Sequence, residues 1–139
     1  MTLIELVVVL FLLSLAGTLA LPAMWRAIET VELRAQVAGF SAFLRYGREH
    51  AIIARVAHEV RVEAEARQLT LVPVGSETPR AWKRLSSRVR ITPDARVVTF
   101  WPEGLSSGGS FRLEAEDGQV YRVTVDPITG RVSSHREAG

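Results

Sequence analysis

Residues 2–25, TLIELVVVLFLLSLAGTLALPAMW, decide the architecture of this chain. Residues 6–25 are twenty consecutive uncharged residues, mostly Leu, Val and Ala. At about 1.5 Å per residue in an α-helix, they match a hydrocarbon core about 30 Å thick. Because the stretch is apolar on nearly all faces, it predicts a membrane-spanning helix rather than the core helix of a small domain.

A cleavable secretory signal is the competing interpretation of the same stretch. Such a signal has a basic segment before the apolar run and small residues at a cleavage site after it. Here Thr, Leu, Ile and Glu precede the run, and Pro22 and Trp25 lie near its end. The pattern therefore favours a membrane-spanning segment over residues 1–25, with Trp25 at the membrane boundary, where aromatic residues are common.

The charged residues lie almost entirely beyond this segment. Residues 26–139 carry 17 basic and 14 acidic side chains, whereas Glu5 is the single charge before them. Domains that bind nucleic acid usually have a larger and more clustered basic excess, so no nucleic-acid partner is expected. The 139 residues contain no cysteine, which excludes disulfides and cysteine-ligated metal sites among them. Their number fits one folded domain plus the apolar arm.

A helical period continues past the membrane segment. Apolar or small residues recur at steps of three and four along one stripe: Val37, Phe40, Leu44, Gly47 and Ala51. This predicts one helix from about residue 2 to about residue 55, with an amphipathic second half. Pro22 predicts a kink within it, because proline removes a backbone hydrogen bond. Gly39 and Gly47 predict places where a sheet approaches the helix closely.

After residue 56 the apolar period changes to two, which predicts antiparallel strands. The predicted strands are HEVRVEAEA, RQLTLVPV, RVRIT, ARVVTFW, SFRLEAE and QVYRVTV, followed by a short strand, RVSS. Asp117 and Gly118, between two alternating runs, predict a hairpin with a type I′ turn. The predicted fold class is therefore α+β, with one long N-terminal helix packed on antiparallel sheet.

The residues that could carry catalysis or bind a metal form no recognised pattern. His50 and His58 are eight residues apart, unlike the pair in H-E-x-x-H, so both are expected to be solvated, and His135 is expected in a frayed tail. The loop PEGLSSGGS lacks the ending of a phosphate-binding loop. We expect no enzymatic activity, no metal and no cofactor. Candidate partner-contact residues in that loop are Gly104, Ser106, Ser107, Gly108 and Gly109.

The first residues resemble a known N-terminal motif. TLIELVVVL, with Glu5 in fifth place, an apolar remainder and Pro22, looks like the mature N-terminus of type IV pilins and type II secretion pseudopilins. The resemblance implies that a prepilin peptidase removes a leader and that the new first residue, here Met1 where phenylalanine is usual, is N-methylated. It also implies that Glu5 meets the free amino terminus of a neighbouring subunit and so sets the register of assembly.

Two further stretches resemble one branch of that superfamily. VVTFWPEGLSSGGSFRLEAEDGQVYRVTVDPITGRVSS and FLRYGREHAIIAR are similar to the H-type minor pseudopilins, the GspH/FimT family, through F-x-P-x-G, S-S-G-G, a hairpin and T-G-R-V. The resemblance covers nearly the full chain. It implies the type IV pilin-like fold and the role of a structural subunit in the periplasmic pseudopilus of a type II secretion system, which exports folded proteins across the outer membrane.

The same resemblance implies a location and partners. Residues 1–25 would form the transmembrane and filament-core segment, with the amino terminus in the cytoplasm, and residues 26–139 the periplasmic domain, which later joins the pseudopilus. The implied partners are the inner membrane, other pseudopilins (the major one and the minor tip subunits), the inner-membrane assembly platform and the prepilin peptidase.

A minor pilin that primes or decorates a type IV pilus is the alternative function, with a role in DNA uptake or adhesion. Such a role in DNA uptake would need basic residues on the surface. One basic cluster in the sequence could serve it: Arg80, Lys83, Arg84, Arg88 and Arg90.

Overall fold

The computed structural model describes residues 2–138, which form one helix followed by eight strands. The helix α1 spans Leu3–Ala54. The strands are β1 His58–Glu63, β2 Gln68–Pro73, β3 Ala81–Arg84, β4 Val89–Pro93, β5 Val97–Phe100, β6 Gly109–Ala115, β7 Val120–Val125 and β8 Val132–Glu137. The α+β class is confirmed, and the predicted helix limits are correct to within one residue.

The helix α1 consists largely of Leu, Ala, Val, Arg and Glu, most of which lose little side-chain freedom in a helix. The helix continues through Pro22. The kink predicted at this residue stays a prediction. The helix ends after Ala54, because Arg55 takes a left-handed conformation with φ at 54°. A left-handed residue at this position is a common way for a helix to stop.

Two compact units divide the chain, and both contain part of α1. The first is residues 1–32 and the second is residues 33–139, which we call the globular unit. This division follows contacts within the folded chain. The boundary predicted after residue 25 concerns the membrane instead, and it stays a prediction.

Two four-stranded antiparallel sheets make up the β part of the globular unit. Sheet A has the strand order β3-β2-β1-β5, and sheet B has the order β4-β6-β7-β8. In sheet A, Val60 pairs with Leu71 of β2 and with Val98 of β5. In sheet B, Phe111 pairs with Val123 of β7. All these side chains are buried, so each register keeps the apolar face of its sheet inside.

The predicted helix stripe lies in the core between the helix and both sheets. Val37, Phe40, Leu44, Gly47 and Ala51 are all buried, as predicted. A methyl group on Gly47 would lie 2.9 Å from Cγ2 of Val60, so sheet A approaches the helix closely there. The rings of Phe40 and Phe111 are 5.1 Å apart, which joins the helix to sheet B. The close approach predicted at Gly47 is confirmed.

The type of turn predicted between β6 and β7 is wrong. Gly118 has φ at 85°, but Asp117 does not have the positive φ that a type I′ turn requires. Instead, Gly118 donates a backbone hydrogen bond to Ala115, and Ala115 donates one to Gln119. This is a type I turn closed by a left-handed glycine, the other common hairpin design. The hairpin itself is confirmed.

The C-terminal strand is longer than the predicted RVSS. β8 reaches Glu137, and His135 pairs with Arg122 of β7 rather than lying in a frayed tail. β8 lies at the edge of sheet B, where four of its six side chains are exposed. Its mostly polar sequence, VSSHRE, therefore lacks the apolar alternation that would have extended the predicted strand. β3 was not predicted as a strand either, because its four residues, AWKR, are at most half-buried.

Candidate functional site

The N-terminal part of α1 is the largest apolar surface of the described chain. Every residue from 2 to 28 is exposed, with Phe11 66 % and Leu19 73 % accessible. Among residues 2–138, α1 is the single helix long and apolar enough to cross a membrane. An exposed apolar surface of this extent marks a membrane or protein contact.

The side chain of Glu5 lies in the first turn of this helix and pairs with Thr2. The backbone N–H of Thr2 donates to Oε2 of Glu5 at 3.4 Å, and the backbone N–H of Glu5 donates to Oγ1 of Thr2 at 3.3 Å. This reciprocal arrangement is a capping box, which satisfies two backbone donors that the helix itself leaves free. The sequence signal, Thr-x-x-Glu, is present in TLIE and was missed. Met1, the residue predicted to be N-methylated, lies outside the described residues.

The glycine-rich loop between β5 and β6 is held by hydrogen bonds. Ser106 is buried, and its Oγ donates to the carbonyl oxygen of Asp126 at 2.9 Å and accepts from the N–H of Gly108 at 3.0 Å. The backbone N–H of Ser107 donates to the carbonyl oxygen of Thr99, and the backbone N–H of Thr99 donates to Oγ of Ser107. These bonds tie the loop to β5 and to the turn between β7 and β8.

The five loop residues predicted to contact a partner therefore differ in accessibility. Gly104 and Ser106 are buried, Gly108 and Gly109 are half-buried, and Ser107 is exposed. Contact of this loop with a partner stays a prediction, and it would have to be made mainly through exposed side chains such as Leu105.

Three sequence motifs meet at Arg48. A methyl group on Gly104, from F-x-P-x-G, would lie 3.1 Å from Nη2 of Arg48. A methyl group on Gly130, from T-G-R-V, would lie 2.8 Å from its Nε. The guanidinium from α1 is thus packed between two glycines from separate turns. Sequence reasoning recognised the motifs but not this contact, since it joins residues far apart in the chain.

A cleft of about 320 Å³ opens beside this contact. We call it the arginine cleft and define it by its lining residues: Arg45, Arg48, Glu49, Thr129, Gly130, Arg131 and Val132. Nη2 of Arg45 donates to the carbonyl oxygen of Val132 at 3.3 Å, which links α1 to β8. Nε of Arg48 is buried and has no hydrogen-bond acceptor among the described residues.

The turn next to the cleft is ordered by Asp126. Its Oδ1 accepts the backbone N–H groups of Ile128 at 2.8 Å and Thr129 at 2.9 Å. The hydrogen bonds from Thr129 and Ile128 lower the pKa of Asp126 below its ordinary value, with a smaller contribution from the charge of Arg131. The carboxylate is therefore engaged with its own turn rather than with the cleft.

Two of the three histidines lie close together in the globular unit. His58 is buried, so the prediction that it is solvated is wrong; its Nδ1 lies 2.8 Å from the carbonyl oxygen of Val56 and is therefore the protonated nitrogen. The ring of His50 packs edge-on against it at 5.8 Å. No three side chains of His, Cys, Asp or Glu come together as metal ligands in the part of the chain that the structure describes.

The basic cluster noted in the sequence is divided between two sheets. Lys83 and Arg84 lie on β3, at an edge of sheet A, whereas Arg90 lies on β4, at an edge of sheet B. The amino group of Lys83 reaches back over Gly39 on the helix. Trp82 is exposed on β3. The cluster thus includes residues on the outer strands of two different sheets.

Comparison with known proteins gives one sequence relative and several similar folds. No family model matches the chain. The chain is 31% identical over 138 residues to the type II secretion system protein H of Xanthomonas campestris pv. campestris, a match that covers 96% of this chain and 80% of that protein.

Two solved structures share the fold at low identity. The minor pseudopilin EpsH from the type 2 secretion system of Vibrio cholerae has a TM-score of 0.65 at 15% identity, with 76% of this chain and 97% of that chain covered. The type IV minor pilin FimU of Pseudomonas aeruginosa has a TM-score of 0.64 at 18% identity, with 77% and 90% covered. The fold is thus common to a pseudopilin and a pilin, whereas the sequence relative is a secretion protein.

Proposed function

The chain belongs to the family of type II secretion system protein H, and from that premise we propose how this minor pseudopilin works in the secretion machine. The observation that carries the proposal is the contrast within α1. Its residues 2–28 are exposed and mostly apolar, while its stripe from Leu33 to Ala51 is buried against two sheets. One helix thus anchors a folded domain and offers a bare apolar arm, as a filament subunit that starts in a membrane requires.

The proposed location follows from this arm. Residues 6–25 span the inner membrane with the amino terminus in the cytoplasm, and the globular unit lies in the periplasm. A prepilin peptidase removes the leader and Met1 becomes the N-methylated first residue. The assembly platform then moves the arm from the bilayer into a bundle with the arms of other pseudopilins. These steps are carried over from the family, and no catalytic turnover by this chain is proposed.

Glu5 has a physical reason to act in assembly. A carboxylate near the edge of the bilayer is costly when it lacks a cationic partner, and the cost falls when an amine approaches. The bond from Thr2 is long, at 3.4 Å, and a carboxylate has about four acceptor positions. Glu5 can therefore cap its own helix and still accept the amino terminus of a neighbour. This would favour release from the bilayer only at the correct stagger.

A minor pilin of a type IV pilus is the second candidate, because FimU has nearly the same TM-score as EpsH. The sequence relative favours the secretion role.

The test separates the charge of Glu5 from its cap. In cells whose only copy is the full-length precursor, Glu5→Gln keeps a side chain that can complete a capping box but removes the charge. Thr2→Val removes the hydroxyl acceptor and keeps the charge. We expect both variants to insert and to be processed, with secretion of the exoprotein lost in Glu5→Gln and retained in Thr2→Val.

Deletion of the whole gene is the reference for both variants. If deletion abolishes secretion and Glu5→Gln secretes normally, the register role of the charge is wrong. If deletion itself leaves secretion unchanged and instead impairs a type IV pilus, the pilin alternative is the correct one.

A further inference from the structure

The arginine cleft has no part in the membrane arm, and positive charge exceeds negative charge along its walls. Arg45, Arg48 and Arg131 face one acid, Glu49, along its walls. None of the three arginines forms an ion pair among the described residues. Some arginines elsewhere on the same unit are paired, Arg61 with Glu59 and Arg122 with Glu137. The cleft is therefore a local excess of positive charge.

The guanidinium of Arg48 is held in place before any ligand arrives. Glycine backbone flanks it on two sides, at Gly104 and Gly130, and its Nε is buried without an acceptor. Because Nε is buried, a ligand in the cleft would bind the terminal Nη groups of Arg48 rather than Nε. Fixing a side chain in advance also lowers the entropy lost on binding.

The chemistry of the cleft fits a carboxylate. Planar guanidinium groups match a carboxylate through two parallel hydrogen bonds, and charge-assisted bonds of this type are among the strongest that proteins make. The acids near the cleft do not supply that group: Asp126 is bonded to its own turn, and Glu49 is exposed without an ion pair.

The rim of the cleft indicates a protein rather than a lipid or a nucleic acid. Ile52 lies beside Gly104 in space, and the exposed Leu105 follows Gly104 in the chain. The exposed Ile128 precedes Thr129 in the chain. Arginine surrounded by exposed apolar side chains is typical of contact points between proteins.

We propose that the arginine cleft binds an acidic side chain of a neighbouring pseudopilin, with Arg48 as the fixed anchor and Arg45 and Arg131 as the groups that close on the carboxylate. The proposal rests on the role in a pseudopilus for the identity of the partner. It assigns a side-chain contact between globular domains, in addition to the contacts made by the arms.

The first experiment uses the full chain in a non-ionic detergent and the peptide acetyl-(Glu)₄-amide as a probe. The Nε–H signals of the arginines are followed by nitrogen-15 NMR. We expect saturable shifts of Arg48, Arg45 and Arg131 with this peptide and no shifts with acetyl-(Gln)₄-amide. Equal shifts across all arginines, or shifts with inorganic phosphate alone, would overturn the proposal.

A matched pair of variants tests the same cleft in the assembled state. Arg45→Glu with Arg131→Glu reverses two charges in the cleft, and Arg34→Glu with Arg136→Glu reverses two exposed charges outside it. When the chain is co-expressed with its sibling pseudopilins, we expect the first pair to reduce their co-purification about tenfold and the second pair to leave it unchanged. Equal effects of the two pairs would count against the cleft.

The two proposals can fail separately. If gene deletion abolishes secretion while the cleft variant secretes and co-purifies normally, the cleft proposal is wrong and the role in secretion stands. If gene deletion leaves secretion intact, the role in secretion is wrong, whatever the peptide does to the arginine signals.

Discussion

Gly130 shows how one residue can serve a turn and a distant side chain at once. Its backbone is left-handed, with φ at 65°, and its Cα faces both Arg48 and the carbonyl oxygen of Gly104. Gly118 in the β6–β7 turn is also left-handed, with φ at 85°, but has open space around it. The two glycines therefore share a backbone requirement and differ in crowding.

This difference predicts unequal costs for the same substitution. Gly118→Ala should lower the free energy of unfolding by about 1–2 kcal/mol, the cost of left-handed backbone in a residue with a Cβ. Gly130→Ala should lower it by about 2–5 kcal/mol, because the methyl group would also collide with Gly104 and displace Arg48. Urea unfolding in detergent, followed by circular dichroism, measures both. Equal losses would mean that the contact with Arg48 is not tight.

The sequence could indicate the importance of such residues but not the reason for it. T-G-R-V and F-x-P-x-G were recognised through a family resemblance, and Thr-x-x-Glu could have been recognised through capping alone. The packing of Arg48 between two turns depends on where three distant segments meet. No local propensity or apolar period contains that information.

Among the elements, β8 depends on ion pairs more than on apolar burial. Nε of Arg122 lies 2.6 Å from Oε1 of Glu137, and Nε of Arg112 lies 3.3 Å from its Oε2. Glu137 thus joins β8 to β7 and to β6, the next strand in the sheet. The hydrogen bond from Arg122, and to a smaller extent the one from Arg112, lower the pKa of Glu137 below its ordinary value of 4.5.

These pairs predict a dependence of stability on pH. A carboxyl whose pKa is lowered by folding stabilises the protein above its unfolded pKa, and that contribution is lost as the pH falls through the folded pKa. Glu137→Gln should therefore be less stable than the native chain at pH 7, and the difference should shrink below about pH 4.5. Thermal unfolding across this range measures it. Glu116→Gln, at an exposed acid outside these pairs, should follow the native profile; a constant difference for Glu137→Gln would contradict the prediction.

Gly39 and Gly47 of α1 provide a second comparison at the scale of elements. A methyl group on Gly47 would meet Val60 at 2.9 Å and Leu71 at 3.2 Å, both in sheet A. A methyl group on Gly39 would meet the flexible end of Lys83, which can move aside. Alanine would therefore meet packed sheet side chains at position 47 but only a movable side chain at position 39.

We expect Gly47→Ala to destabilise the globular unit by about 1–3 kcal/mol, since extra volume in a packed contact forces the sheet outward. Gly39→Ala should be neutral or should stabilise it by up to about 1 kcal/mol, because alanine favours the helix. Urea unfolding gives both values. Stabilisation by Gly47→Ala would show that the helix and sheet A are more loosely packed than their distance indicates.

At the scale of the whole molecule, the apolar period predicted the helix and most strands, because a buried stripe or alternation has a clear signature. It failed where burial is weak: β3 and the end of β8 are edge segments with few buried side chains. The division into two sheets was also not predicted, since strand order depends on which edges meet in space. The predicted partner contacts and the role of Glu5 concern other molecules and stay predictions.

Removal of the arm tests the independence of the globular unit. Residues 26–139 alone should be soluble and folded, because the buried core residues begin at Leu33. Sedimentation and amide hydrogen exchange measure this, with protected amides expected in β1, β2, β6 and β7, the inner strands of the two sheets. Aggregation of the truncated chain would mean that the arm completes the core.

The outer strands of the two sheets bear on whether the folded chain can add foreign β-strands at its sheet edges. β3 presents Lys83 and Arg84 at one edge, and β8 presents Ser133, Ser134 and His135 at another. Charged and polar edges discourage the addition of foreign strands, which is how cross-β fibrils begin. In the filament role proposed above, the arm would add the subunit to the filament while the polar edges of its sheets resist conversion to amyloid.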